Sequence, residues 1–243
     1  MEIDGVVFTV IRSSRKTVGV TVEPDGSPVL RTPRNATEEQ IRNLVSKRMG
    51  WVNRKLRLTQ QNSQNSFHPK FDVGTQLPYL GRFHSLTLSS GIARFGLLRG
   101  VFSIPKGRKD CIKEDVIKWY KNRAKVYLNQ RIEKLQGNYQ ESPKSIRILD
   151  LKGRWASCSE DKTINLNWKL VLLPTRLIDY VLHHELCHLK FHDHSNRYWR
   201  HLARKCSNWK KLSQELEEKG VRYYLSSVEN NPQLQSLVND TSS

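Results

Sequence analysis

Acidic residues are scarce in this chain: 23 against 41 lysines and arginines, a formal net charge of +18. A field of that sign attracts polyanions, nucleic acid foremost, although a solvated basic face gives the same count. Cysteines are also few, four in all (Cys111, Cys158, Cys187, Cys206), with no paired spacing. That excludes a disulfide scaffold and points to a reducing, cytoplasmic setting. No apolar run approaches the ~18 residues of a membrane helix, so no membrane partner is expected. The opening Met1-Glu2-Ile3-Asp4-Gly5 has neither a basic n-region nor an apolar h-region, which argues against a signal peptide. What is present is globular in proportion. Of 243 residues, 37% are hydrophobic and 26% charged, enough for one large domain or two small ones with cores of their own.

The first stretch reads as strands. Val6-Val7-Phe8-Thr9-Val10-Ile11 is β-branched and aromatic, and Thr17 to Val22 alternates with valine at period two. Pro24-Asp25-Gly26-Ser27 has turn chemistry, and Val29-Leu30-Arg31-Thr32 returns as a strand. Thr37 is placed to cap a helix whose apolar stripe is Ile41, Leu44, Val45, Met49, Trp51 and Val52. The polar run from 59 to 66 reads as a loop, and short strands follow around Gln76–Gly81, Ser85–Leu88 and Val101–Pro105. Beyond a boundary near residue 110, a long basic helix is expected from Lys113 to Leu135. Strands are expected at Ser145–Leu149 and Thr163–Trp168, then helices over Leu177–Phe191 and Ser195–Glu218. The fold class is therefore α+β, with a β-rich module over 1–110 that carries one helix. A second domain covers 111–220, and a disordered tail covers 221–243.

One segment carries chemistry. His184-Glu185-Leu186-Cys187-His188 is an HExxH, and on a helix positions i and i+4 share a face about 6 Å apart along the axis, so two imidazoles can meet on one ion. Glu185, beside them, is close enough to reach a water on that ion and is turned away from ligation. A zinc ion lowers the pKa of such a water toward ~7, and the carboxylate takes the proton. The motif arises by chance in roughly one or two per hundred chains of this composition. Here, however, it follows the mostly apolar Leu177–Leu182, on a helix expected to be buried, where unsatisfied histidines and a glutamate are costly.

A catalytic zinc wants a third protein ligand, from His183, His192, His194, His201 or a distant carboxylate. His183 points about 100° away from His184, and on a continued helix His192 lies about 12 Å along the axis from it. His194 requires the helix to end first. Asp193, as a left-handed residue, and Ser195, as the cap of the next helix, supply a turn that swings His194 under the metal. His194 is accordingly the expected third ligand. The spacing of His184, His188 and His194 equals that of metzincins, but Phe191 stands where those enzymes have glycine.

Several runs appear in order: Arg154-Trp155-Ala156-Ser157-Cys158-Ser159, Ile164-Asn165-Leu166-Asn167-Trp168, Ile178-Asp179-Tyr180-Val181, His184 to Leu189, His194-Ser195 and Tyr198-Trp199. With Pro24-Asp25-Gly26 and Tyr79-Leu80-Gly81-Arg82, they make the chain closely resemble the YgjP-like metallopeptidases over about residues 7 to 212. These are SprT-like minimal zincins often found beside type I restriction-modification systems. The resemblance implies a zincin-like domain, zinc held by His184, His188 and His194, and Glu185 as general base. Ala156 replaces the usual glycine of its run, and Asp193 the commoner asparagine.

Around the site, Arg154 has two readings. It can polarise a scissile carbonyl or hold a substrate carboxylate, or it can pair structurally with Asp150 or Asp179. Asn165 and Asn167 share one face of a strand; they can grip a peptide backbone if that strand is an edge, or simply face solvent. Cys158, Cys187, Tyr198, Trp199, Leu202 and Trp209 read as packing. Arg197, Arg200, Arg204, Lys205, Lys210 and Lys211 form the best candidate polyanion surface. The expected function is a zinc-dependent hydrolase acting on peptides or proteins. The alternative is a basic DNA-associated protein of a restriction system in which the metal is structural.

Overall fold

The β-branched runs at the start of the chain pair with one another. The computed structural model describes residues 1–15, 17–22, 27–65, 71–151 and 154–223. The turn expected at Pro24-Asp25-Gly26 and the expected tail beyond residue 223 lie outside them, whereas residues 221–223, expected as part of that disordered tail, belong to a 3-10 turn. β1 (Glu2–Ile3) and β2 (Val6–Val7) form a short antiparallel ladder. β3 (Thr9–Ser13), β4 (Gly19–Val22) and β5 (Pro28–Pro33) form a sheet in the order β3-β5-β4, parallel at the first pairing and antiparallel at the second. Thr37 caps α1 (Glu38–Ser46) through a reciprocal pair: its hydroxyl accepts from the Gln40 amide at 3.2 Å, and the Gln40 side chain accepts from the Thr37 amide at 3.2 Å. α2 (Met49–Asn65) follows, so the single expected helix is two, and the polar run from 59 is helical through Asn65. That run holds neither glycine nor proline, and nothing in it stops a helix. Ile41, Val45, Met49 and Val52 bury against Ile3, Phe8, Val20 and Leu30, whereas Leu44 and Trp51 stay 36% and 38% exposed.

The described residues divide into two compact units, 1–65 and 71–223. The boundary expected near residue 110 is thus corrected to 66. The reason is the core: Leu77, Tyr79, Leu86, Phe102 and Ile104 are buried in the same cluster as the long helix that follows them. They come from β6 (Gln76–Tyr79), β7 (Arg82–Ser89), β8 (Gly96–Leu98) and β9 (Val101–Pro105), a sheet in the order β6-β7-β9-β8. After a 3-10 turn comes α3 (Ile112–Gln136), which buries Val116, Tyr120, Ala124, Leu128 and Ile132. The Tyr120 hydroxyl donates to the Pro78 carbonyl at 2.6 Å, fastening the helix to β6.

β10 (Ser145–Leu149), β11 (Ala156–Cys158) and β12 (Thr163–Asn167) form a sheet in the order β10-β12-β11. α4 (Thr175–His188) carries the HExxH, and α5 (Asn196–Lys205) and α6 (Trp209–Lys219) complete the unit. The last two were expected as one helix. The backbone leaves helical geometry at Cys206 (φ −143°, ψ 86°), and Asn208 begins the next helix. An unbroken helix would hold Trp199 and Trp209 about 15 Å apart; the break lets their rings stack at 4.4 Å.

A tight hairpin sets the start of α4. Leu80 and Gly81, with φ of 49° and 79°, make the two-residue turn between β6 and β7. Their amides donate to the carbonyls of Val171 (2.8 Å) and Leu172 (3.3 Å). A Cβ on Gly81 would lie 2.7 Å from Pro174, which precedes α4. Gly81→Ala therefore meets both a positive φ and a backbone clash, and is expected to lower stability by about 1–3 kcal/mol. Thermal unfolding checks this; an unchanged midpoint would show that the hairpin does not press on the turn.

Candidate metal centre

His184 and His188 lie one turn apart on α4, with their Nε2 atoms 3.3 Å from each other. His194 brings its own Nε2 to 3.2 Å from that of His184, and the ligating atoms of all three lie within 4.8 Å of one another. Nitrogens held tetrahedrally at zinc distances are spaced about 3.3 Å apart, so the set fits such an ion. The His188 Nδ1–H donates to the Phe191 carbonyl at 2.9 Å, which leaves the Nε2 lone pair for a metal. Burial pushes His184 down to about 3 and also lowers His188 and His194. The shift favours the neutral form in all three, the form that ligates.

The turn that brings in His194 differs from the expected one. Asp193 has no positive φ. Its carboxylate accepts from the Ser195 amide at 3.4 Å instead, a side-chain turn that needs no left-handed residue. The Ser195 hydroxyl then caps α5, accepting from the Tyr198 amide. On a continuous helix His194 would lie about 15 Å along the axis from His184.

Glu185 is only 5% exposed, and burial pushes its carboxyl up to about 8 against the pull of Arg154. Among the described residues it accepts no hydrogen bond. An unpartnered buried carboxyl group beside three imidazoles is a set suited to a divalent cation, whose charge favours the ionised carboxylate, and to its water.

Arg154 is exposed, and neither carboxylate considered for it is its partner: Asp179 holds Arg131 through two 2.6 Å bonds, and Asp150 lies 3.4 Å from Lys169. Its charge is felt at Glu185 instead. The reading of Asn167 as a peptide-gripping amide is corrected. The residue is fully buried; its amide donates to the carbonyls of Leu151 (2.8 Å) and Arg154 (3.0 Å), and its oxygen accepts from the Lys169 amide. It pins the backbone that presents Arg154. Asn165 is half-buried and donates to the Ser157 hydroxyl at 3.4 Å. Both lie on β12, the middle strand, and the edge beside α4 is β11. Cys158 on that edge and Cys187 within α4 are both pushed up to about 11 by burial, so they are neutral thiols. His183 faces away, its Nδ1 2.7 Å from the Tyr139 hydroxyl, and His192 is exposed.

Two aromatic residues read as packing do pack in or against the core, and they also touch the candidate ligands. The Tyr198 hydroxyl donates to the His184 carbonyl at 3.1 Å, and its ring stacks on His188 with centroids 4.6 Å apart. Trp199 stacks on His194 at 5.3 Å. Their place one turn after Ser195 was the available signal, because the first turn of a helix that starts there lies over the preceding histidine.

An HExxH helix whose histidines converge with a third beside a buried glutamate defines a metallopeptidase domain. The chain belongs to the YgjP-like family: the family model, YgjP-like metallopeptidase domain, matches residues 16–219. Among solved structures it is similar to the metallopeptidase zymogen of Pyrococcus abyssi, abylysin, at 28% identity over 38% of this chain and 93% of that one, with a TM-score of 0.34. No curated protein matches it.

Proposed function

We propose that this protein is a zinc-dependent peptidase in which Glu185 is the general base. The observation that carries the reading is the meeting of three imidazoles, with Nε2 of His184 3.3 Å from that of His188 and 3.2 Å from that of His194, beside a buried carboxyl group that has no hydrogen-bond partner among the described residues. His184, His188 and His194 would hold the ion, which when bound supplies Lewis acidity toward water and a peptide carbonyl. Glu185 accepts the proton of the attacking water at its carboxylate and returns it to the leaving nitrogen. The edge of β11 that no described strand covers pairs with an extended peptide, and Asn165, held to Ser157, steadies that edge. Arg154, exposed and near Glu185, receives a carboxylate or the scissile carbonyl of the substrate.

A second reading, compatible with the first, is favoured by α5. From His194 to Gln214 the sequence has no acidic residue, and the exposed Arg197, Arg200, Arg204 and Lys210 form no ion pair among the described residues. Such an unneutralised face beside the third histidine suits a nucleic-acid backbone. One experiment addresses both readings: zinc-loaded protein is given an unfolded protein substrate, with and without a chelator and with and without duplex DNA. Cleavage should stop with the chelator and return with zinc; a DNA-assisted enzyme cleaves faster with duplex present, and less so at high salt. Cleavage indifferent to the chelator contradicts the first reading, and cleavage indifferent to DNA contradicts the second.

A further inference from the structure

The three histidines are not anchored alike. His184 lies within α4, and His188 is tied through Nδ1 to the Phe191 carbonyl. His194 lies outside every helix and strand and is exposed. Among the described residues, its only hydrogen-bond-range contact is with the His184 ring. A ligand on such a segment has rotamer freedom to lose when it binds, and metal ligands ordinarily gain their orientation from a hydrogen bond on the second ring nitrogen.

The His194 ring is faced instead by an indole. Trp199 lies against it with planes 25° apart and centroids 5.3 Å apart. Trp199 is stacked in turn on Trp209, at 4.4 Å and 15°. Both placements follow from the local sequence. Ser195 starts α5 immediately after His194, so Trp199 closes its first turn with its amide donating to the Ser195 carbonyl at 3.1 Å. The break at Cys206 then returns Trp209 to Trp199.

We infer that Trp199 is a positioning residue: its indole, backed by Trp209, holds the His194 imidazole in its ligating orientation, the task that the Phe191 carbonyl performs for His188. The inference rests on the reading of His184, His188 and His194 as metal ligands. Rings stacked in this way attract one another beyond the area they bury, and the indole is fixed on both a helix and a second ring.

The test is metal affinity and cobalt spectroscopy on the full chain. Zinc affinity is read by competition with a chromophoric chelator, and the visible bands of the cobalt-substituted protein report ligand geometry. Trp199→Leu should weaken zinc binding about 10–100-fold, the usual effect of losing an outer-shell partner, and should alter the cobalt bands. Trp199→Phe, which keeps a ring, should recover most of both. His194→Ala should lose more affinity than either. Circular dichroism of the metal-free proteins reads folding separately, and Trp199→Gln, a helix former suited to a half-exposed position, replaces the leucine variant if that variant does not fold. Unchanged affinity and bands without the indole, with His194→Ala weakened, would overturn the positioning role and leave the ligand set intact. Unchanged affinity in His194→Ala would overturn the ligand set, and this inference with it.

Discussion

Glu185→Gln is expected to lower peptide hydrolysis by about 10²–10⁴-fold, the range of general acid–base catalysis, while metal content stays at the wild-type level. Glutamine keeps the shape of the side chain, so the buried site does not collapse, but an amide takes no proton from water. The metal is retained because the three convergent nitrogens belong to His184, His188 and His194. The same substitution has a thermodynamic signature in the metal-free protein. Burial raises the Glu185 carboxyl from 4.5 to about 8, so between those values the folded chain holds more protons than the unfolded one. Wild-type stability from this group is therefore present below pH 4.5 and lost as pH rises toward 8, and Glu185→Gln removes that loss. The variant's melting advantage over wild type should grow across that window. Full activity in the variant would refute the general-base role.

The second large effect is expected at His188. Replacing it with alanine removes a candidate ligand, the bond to the Phe191 carbonyl and the ring on which Tyr198 stacks. Zinc affinity should fall by more than the 10–100-fold that an outer-shell loss costs, and hydrolysis should drop to background. A ligand that binds only the folded state stabilises it by about 4 kcal/mol at a thousand times its dissociation constant. Added zinc should therefore raise the wild-type melting temperature by several degrees and leave that of His188→Ala where it is. An equal rise in both proteins would mean that the ion binds elsewhere.

Much of the catalytic half was legible because local rules and tertiary packing agree there. α3 and α4 begin and end within a few residues of where period and caps place them, and HExxH spacing on a helix dictates where two imidazoles point. Ser195 caps α5 by its own side chain, so the turn to His194 was readable, although Asp193 closes it by a hydrogen bond rather than a left-handed backbone. The failures share a cause. β11 is three residues, Ala156-Ser157-Cys158, with no β-branched side chain, and it is a strand only because β12 pairs with it. Asn167 alternates onto the same face as Asn165, but its amide is drawn inward by carbonyls 13 and 16 residues away. The boundary near 110 was placed by a charged, glycine-containing run, whereas the hydrophobic core across it is continuous. Trp199 shows the same limit: its apolar stripe places it in the core, and its stacking on His194 depends on the turn that starts α5 at Ser195, so the indole faces a candidate ligand as well.

The most direct test of the account is X-ray absorption at the zinc edge on protein loaded with one equivalent of metal. The geometry predicts one tightly bound zinc per chain, with three imidazole nitrogens at about 2.0–2.1 Å, one of them lost in His194→Ala. A sulfur shell near 2.3 Å, or a shell unaltered when His194 is replaced, would contradict it.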